Sequence, residues 1–460
     1  MAISGGVAWL YHGPDTIPLF SAAAVAIVFG LAANRLTARP KDLSIRESYL
    51  IVTLAWLGAA VFGALPFWFS GLASPVDAFF ESISGFTTTG ASIFPDPSSL
   101  PRGIQFWRDF SQWLGGMGII VLVVAVLPFL GVGGMQLFRA EVPGPTPDRL
   151  QPRISQTASI LWRVYVGLTA AQVILYLIGG LDLFDAVTHA FGTMPTGGFS
   201  PRTESIGAFS SPYIQYVTIL FMYLAGVNFT LHYRTLRGKP LSAFADEEWR
   251  FYTLLLGAAT VIILGAHLLA GTFDSLEEAF RSSAFQVVSI GTTTGFATAD
   301  YVLWPAATQV LLVFLMFVGG MAGSTGGGIK TLRLWAALKQ GMAELRKHLH
   351  PRAVIITHVG GKAVPEGVIL NILAFMLLFV ASFIAGALLL TIMGVDLVTA
   401  AGASAASIGN VGPGLAAVGP AANYAWMPAL GKLVLSLLML LGRLEIYTVL
   451  LLFHPEFWRR

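Results

Sequence analysis

Asp77-Ala-Phe-Phe-Glu-Ser-Ile-Ser-Gly-Phe-Thr-Thr-Thr-Gly90 decides how this chain folds, because stretches like it return three more times. They read Asp185-Ala-Val-Thr-His-Ala-Phe-Gly-Thr-Met-Pro-Thr-Gly197, then Glu278-Ala-Phe-Arg-Ser-Ser-Ala-Phe-Gln-Val-Val-Ser-Ile-Gly-Thr-Thr-Thr-Gly295, and more loosely Asp396 through Ser-Ile-Gly-Asn-Val-Gly412. Each begins at an acid, ends in glycine and lies between two long apolar runs. Each also has a helical pattern too brief to cross a hydrocarbon core, with negative charge where a helix N-terminus favours it. Such a segment dips into the membrane and returns.

The solvent is lipid. Of 460 residues, 55% are hydrophobic and 11% charged, with a mean hydropathy of +0.73, against about 25% charged in soluble domains. Apolar runs at Ile17 to Leu36, Tyr49 to Phe69, Ile119 to Leu130 with its flanks, Tyr252 to Leu269 and Val368 to Ile392 are of membrane-crossing length. The first of them has no small-residue cleavage pattern behind it and leads into Arg35, which reads as a retained helix rather than a signal peptide.

The formal charge of +3 matters less than its distribution. Basic residues gather in Arg35 to Arg46, Arg139 to Arg163, Arg234 to Arg250, Lys330 to Lys362 and at Arg459 and Arg460, whereas Arg102, Arg108, Arg202 and Arg281 stand apart near the repeated stretches. By the positive-inside rule the clusters are cytoplasmic, so the flanking helices open on the far side and the N-terminus lies outside. The clusters are short, separated by spans and free of interleaved aromatics, which argues against nucleic acid. There is no cysteine, hence no disulfide, thiolate nucleophile or cysteine-bound metal. His348 and His350 sit two apart in a basic segment and form no metal spacing. No clustered acids or activated nucleophile suggest an enzyme, and no cofactor is implied for this chain.

The fold expected is an all-α polytopic membrane protein with four parallel helix, pore loop, helix repeats in pseudo-fourfold symmetry around a central pore, plus an N-terminal extra helix. The divisions are 1–46 for that helix and its cytoplasmic loop, 47–139, 140–240, 241–347 and 348–460 for the repeats. Non-helical backbone at membrane depth survives only where protein or water satisfies it, so the four loops should share one aqueous path. Glycine after threonine lets successive carbonyls point one way, and carbonyl rings replace an ion's hydration shell. The candidate ion-binding residues are Thr88, Thr89, Gly90, Thr196, Gly197, Thr293, Thr294, Gly295, Asn410, Val411 and Gly412. The lead-in acids Asp77, Glu81, Asp185, Glu277, Glu278 and Asp396 cap the pore helices or draw cations toward the vestibule.

Two features suggest gating. The second helix of repeat three starts at about Trp304, stays apolar to Val318 and then meets Gly319, Gly320, Gly323, Gly326, Gly327 and Gly328; at about 1 kcal/mol per glycine the helix should break there. The candidate gate is Gly323, Ser324, Thr325, Gly326, Gly327, Gly328 and Lys330, and the alternative is a small-residue packing face. Ile329 between glycine and lysine rules out a nucleotide-binding loop. Arg443 lies in the apolar run from Pro428 to Phe453, where it faces the pore and holds the gating loop, or pairs with Glu445 or another acid.

The sequence also resembles the Trk, Ktr and HKT superfamily of potassium transporters, TrkH type. The resemblance rests on Ser84-Gly-Phe-Thr-Thr-Thr-Gly-Ala91, Gln112-Trp-Leu-Gly-Gly-Met-Gly-Ile119, Gly133-Gly-Met-Gln-Leu-Phe-Arg-Ala-Glu-Val-Pro-Gly-Pro145, Gly226-Val-Asn-Phe-Thr-Leu-His232, Gly320-Met-Ala-Gly-Ser-Thr-Gly-Gly-Gly-Ile-Lys330 and Gly442-Arg-Leu-Glu-Ile446. It implies potassium as the transported ion and uptake across the inner (plasma) membrane. It also implies a homodimer, filter residues at Thr89-Gly90, Thr196-Gly197, Thr294-Gly295 and Val411-Gly412, and a cytosolic TrkA-type nucleotide-binding regulatory subunit on the basic loops. A symporter coupling potassium or sodium to another ion is the alternative. Such chains usually carry two helices ahead of the first repeat, and only one convincing span is legible here.

Overall fold

The computed structural model describes residues 1–36, 45–125, 150–238 and 242–459. Outside them lie the motif at 133–145, the repeat borders expected at 139/140 and 240/241, the end of the third apolar run, and Arg39, Lys41, Arg139, Arg149, Lys239 and Arg460 of the basic clusters.

Among the described residues two helices precede the first repeat, and only the second is long enough to span. Helix α1 (Ala2–Leu10) is nine residues long, and α2 (Thr16–Leu36) has 21. The sequence hides α1 because Ser4 and Gly5 occupy its buried side with Ala8 and leave little apolar periodicity. In the turn after α1, Asp15 accepts from the backbone N–H of Ile104 at 2.7 Å, which satisfies an orphan donor at the start of a later helix.

Four triplets follow. The first is α3 (Ile45–Phe69), α4 (Pro75–Phe86) and α5 (Arg102–Ala125). The second is α6 (Leu150–Ile178), α7 (Leu183–Thr193) and α8 (Pro212–Ala225), continued by α9 (Phe229–Leu236). The third is α10 (Glu247–Ala270), α11 (Leu276–Gly291) and α12 (Ala306–Phe317), continued by α13 (Thr331–Leu349). The fourth is α14 (Glu366–Ile392), α15 (Leu397–Ile408) and α16 (Ala429–Arg443), continued by α17 (Tyr447–Leu450). A two-residue hairpin, β1 (His358–Val359) with antiparallel β2 (Lys362–Ala363), lies between α13 and α14.

The middle helix of each triplet has 12, 11, 16 or 12 residues; at about 1.5 Å per residue none crosses a core of about 30 Å. Each starts on a side-chain cap: Ser74 accepts from Asp77 N, Asp182 from Asp185 N, Ser275 from Glu278 N and Asp396 from Thr399 N. Of the acids read as caps, only Asp396 is one. Asp77, Asp185, Glu277 and Glu278 stand in the first turns, and Glu81 lies deeper, fully buried against Arg108. The short helices are largely buried, whereas the first helices of the triplets turn leucine, isoleucine and valine outward to lipid.

Among the described residues, three of the second helices break. The α8–α9 pair bends by 102° and the α16–α17 pair by 118°. Between α12 and α13 the chain leaves the helix altogether from Val318 to Lys330. The break after Val318 agrees with the glycine argument. The break after Arg443 overturns the reading of one apolar run through Phe453: α16 stops at Arg443, and Glu445 and Ile446 take positive φ of 59° and 53°.

Candidate functional site

The four short helices end in the same turn. Thr89 N donates to Ser84 O, Gly197 N to Gly192 O, Thr294 N to Ser289 O and Val411 N to Ala406 O, at 2.9, 2.8, 2.7 and 2.8 Å. The preceding residue is in the left-handed region every time: Thr88 (φ 53°), Thr196 (58°), Thr293 (61°) and Asn410 (55°). A β-branched threonine there is strained by about 1–2 kcal/mol, and such strain gathers at functional turns. The following residue is a glycine of positive φ: Gly90 (83°), Gly198 (77°), Gly295 (85°) and Gly412 (98°).

This fixes a register that composition did not. Thr196-Gly197 was aligned with Thr89-Gly90, but Thr196 matches Thr88, Gly197 matches Thr89, and Gly198 takes the place of Gly90. The second turn reads Pro-Thr-Gly-Gly, so either glycine satisfied the pattern, and only the backbone distinguishes them.

The turns close on one another in chain order. A Cβ on Gly90 would strike the Gly197 carbonyl oxygen, one on Gly198 that of Thr294, one on Gly295 that of Val411, and one on Gly412 that of Thr89. Each glycine therefore faces the equivalent carbonyl of the next turn, and the fourth returns to the first. Only glycine permits so close an approach of backbones. Thr88, Thr89, Thr196, Thr293, Thr294 and Asn410 are fully buried within this ring.

Side chains from the second helices brace it. Gln112 of α5 donates to Gly197 O at 2.6 Å and accepts from Phe199 N at 3.0 Å. Arg108 donates to Glu81 at 2.7 Å, to Ser200 O at 3.3 Å and to Ser92 Oγ at 3.1 Å, while Glu81 accepts from Ile93 N at 2.8 Å. That ion pair ties the strands leaving the first and second turns. Tyr424 donates to Gly412 O at 2.8 Å and Tyr301 to Gly414 O at 2.9 Å. Farther out, Asp96 accepts from Ser98 N at 3.1 Å and from the Thr203 hydroxyl, which holds its carboxyl below the usual carboxylate range.

The glycine-rich segment runs across the base of the ring. Val318 and Ile329 form a parallel bridge, with Gly319 N donating to Ile329 O and Ile329 N to Phe317 O, both at 2.9 Å. Between them the chain reaches two other repeats and its own short helix. Met321 N donates to Gly226 O at 2.8 Å, and Phe229 N to Gly323 O at 3.1 Å. Thr325 Oγ1 donates to Met194 O at 2.9 Å, and Gly327 N to Thr293 Oγ1 at 2.7 Å. Arg443 Nη1 donates to Thr325 O at 2.7 Å, and the Lys330 ammonium to Gly326 O.

Both cations are buried, Arg443 at 2% exposure and Lys330 at 8%. The alternative partner for Arg443 is otherwise engaged: Glu445 pairs with Arg333, whose guanidinium stacks 4.1 Å over Phe375. Sequence reading missed Glu248, a carboxylate at the start of α10 that takes three donors from this segment and α13. Its place in a basic cluster concealed it.

Chemically, buried main-chain oxygens gathered from four turns, beside a segment that carries two buried cations, are ligands of the kind a dehydrated cation takes. The fold is that of a multi-pass inner-membrane transport protein. The chain belongs to the TrkH family of cation transport proteins, whose family model matches residues 18–460. It is 43% identical to the Trk system potassium uptake protein TrkH of Halomonas elongata, over 91% of this chain and 87% of that protein. To the protein of the same name from Escherichia coli K12 it is also 43% identical, with the same coverage of both chains. The crystal structure of the potassium transporter TrkH from Vibrio parahaemolyticus superposes with a TM-score of 0.92 at 38% identity, covering 99% of this chain and 95% of that one.

Proposed function

We propose that this protein carries potassium into the cell through a selectivity filter made by the four turns. The observation that carries the reading is the closed cycle of glycines against carbonyls from Gly90 through Gly412 back to Thr89. Main-chain oxygens at Thr88, Thr89, Gly90, Thr196, Gly197, Gly198, Thr293, Thr294, Gly295, Asn410, Val411 and Gly412 take the place of water around the ion. Buried threonines in a strained conformation keep that cage from collapsing when it empties. Potassium is supported by the names of the relatives above.

The segment from Gly323 to Lys330 is the gate in this reading. It lies under the ring, is built of residues that cost little to rearrange, and is held shut by Arg443, whose charge also opposes cation passage. The working assembly is a homodimer, each protomer with its own pore, docked through its basic cytoplasmic loops on a TrkA-type nucleotide-binding partner.

The test is uptake of potassium, rubidium and sodium by the purified protein in liposomes, under imposed proton and sodium gradients. Potassium and rubidium should enter down their own gradients and sodium slowly. Uptake that requires a proton or sodium gradient would replace this reading with a coupled symporter.

A further inference from the structure

The geometry points to Glu248 as the latch that holds the glycine-rich segment closed from the cytoplasmic side. Helix α13 begins directly after that segment, and its own N-cap is Lys330, a side chain with no acceptor and no capping bond. An uncapped helix start leaves several N–H groups unsatisfied, and at low dielectric that is costly. The cap comes from another helix. Glu248 Oε1 accepts from Leu332 N at 3.0 Å and from Thr331 Oγ1 at 2.9 Å. The same oxygen accepts from Ala322 N, inside the segment, at 2.7 Å. One carboxylate therefore fixes both ends of the stretch between Ala322 and Leu332, while Arg443 and Lys330 hold its middle by Thr325 O and Gly326 O.

The carboxylate is 8% exposed, so its charge depends on these donors and on the positive end of α13 for compensation. Displacing α13 from Glu248 breaks the bonds from Thr331 and Leu332 together and leaves the carboxylate with Ala322 N, so the helix and the segment lose their common anchor.

The neighbouring residue extends the device outward. Glu247 accepts from Trp335 Nε1 at 2.9 Å, from Gly360 N of the β-hairpin at 2.6 Å, and from the Lys339 ammonium. The first turn of α10 thus grips the segment with one acid and the cytoplasmic elements with the next. A pull on α13 or on the hairpin from the cytosol works against α10 and is felt at Ala322. Glu248 is a positioning residue here: it acts on the ion path only through the segment it holds. The inference rests on reading Gly323 to Lys330 as a gate.

The experiment compares Glu248→Ala, Glu248→Gln and Arg443→Gln with the wild type for rubidium uptake in liposomes. The chain has no cysteine, so cysteines placed at exposed Leu254 of α10 and Leu338 of α13 carry spin labels without background. Glu248→Ala should raise uptake about tenfold, the population shift expected from losing charge-assisted hydrogen bonds, and should broaden the distance between the labels. Glu248→Gln, whose amide oxygen still caps, should fall between. If Arg443→Gln raises uptake while both Glu248 variants keep wild-type uptake and label distances, the latch is wrong and the gate stands. If none of the three raises uptake in protein that elutes and melts as the wild type does, the gate reading falls and takes the latch with it. Should Glu248→Ala fail to fold, Glu248→Gln alone decides between these outcomes.

Discussion

Arg443 donates from Nη1 to the carbonyl oxygen of Thr325, 118 positions earlier in the chain, at 2.7 Å. The bond joins the last residue of α16 to the middle of the glycine-rich segment, so two broken helices from neighbouring repeats meet beneath the ring. In the proposed gate, a guanidinium in the cation path both raises the barrier and fastens the element that closes it. Arg443→Gln keeps much of the volume and one donor but removes the charge. Rubidium uptake should rise about tenfold, the scale of one charge-assisted hydrogen bond lost from the closed state. Unchanged uptake in correctly folded protein would contradict the barrier.

Gly198 tests the register of the second turn. Its φ of 77° and the Thr294 oxygen in the way of any Cβ leave no room for alanine. Gly198→Ala should lower potassium uptake at least tenfold or relax its preference over sodium, as Gly90→Ala should. Competition between potassium and sodium in the same liposomes reads both effects. Near-normal uptake and selectivity in Gly198→Ala would move the filter position back to Gly197.

The difference between Gly197 and Gly198 shows what a linear sequence conveys here. Apolar length, the acid-to-glycine repeat and the positive clusters are one-dimensional patterns set by the bilayer, so the four triplets and the break after Val318 were legible. The register of the second turn was not, because it depends on which amide reaches Gly192 O. The stop of α16 at Arg443 was equally hidden, since Leu444 and Ile446 are as apolar as a continuing helix requires, and the left-handed Glu445 is stabilised by Arg333 of α13. Glu248 gains its role from partners 74 to 84 positions away, and Arg108 from partners 27 and 92 positions away. Long-range satisfaction of buried charge leaves no local periodicity to read.

Asp96 offers a pH test outside the membrane. The Thr203 hydroxyl lowers its pKa below the ordinary 3.8, so its charged form favours the folded state. That contribution is fully present above the ordinary value and is lost as pH falls through the lower, folded one. The melting temperature of the wild type should therefore exceed that of Asp96→Asn at neutral pH by a small margin, because the group is exposed and screened. The two curves should converge once the pH has fallen below the folded-state value. A gap that persisted there would mean that the charge is not what joins Asp96 to Ser98 and Thr203.

The Glu81–Arg108 pair should carry more weight for stability than any exposed bridge. Both side chains are essentially inaccessible, at 0% and 1% exposure. Between them they satisfy Ile93 N, Ser92 Oγ and Ser200 O on the strands that leave the first two turns. Arg108 also stacks 4.3 Å over Phe199, so its removal opens the packing beside Gly198 as well. Arg108→Gln leaves a buried carboxylate without its cationic partner, held by Ser92 Oγ and Ile93 N, a change that typically costs about 3–5 kcal/mol. Glu81→Gln, Arg108→Gln and the double variant, melted in the same detergent, form a cycle. The double variant should be more stable than the sum of the singles implies, because it leaves no lone charge. Strict additivity would show that the two residues act separately and that the strands are held by other bonds.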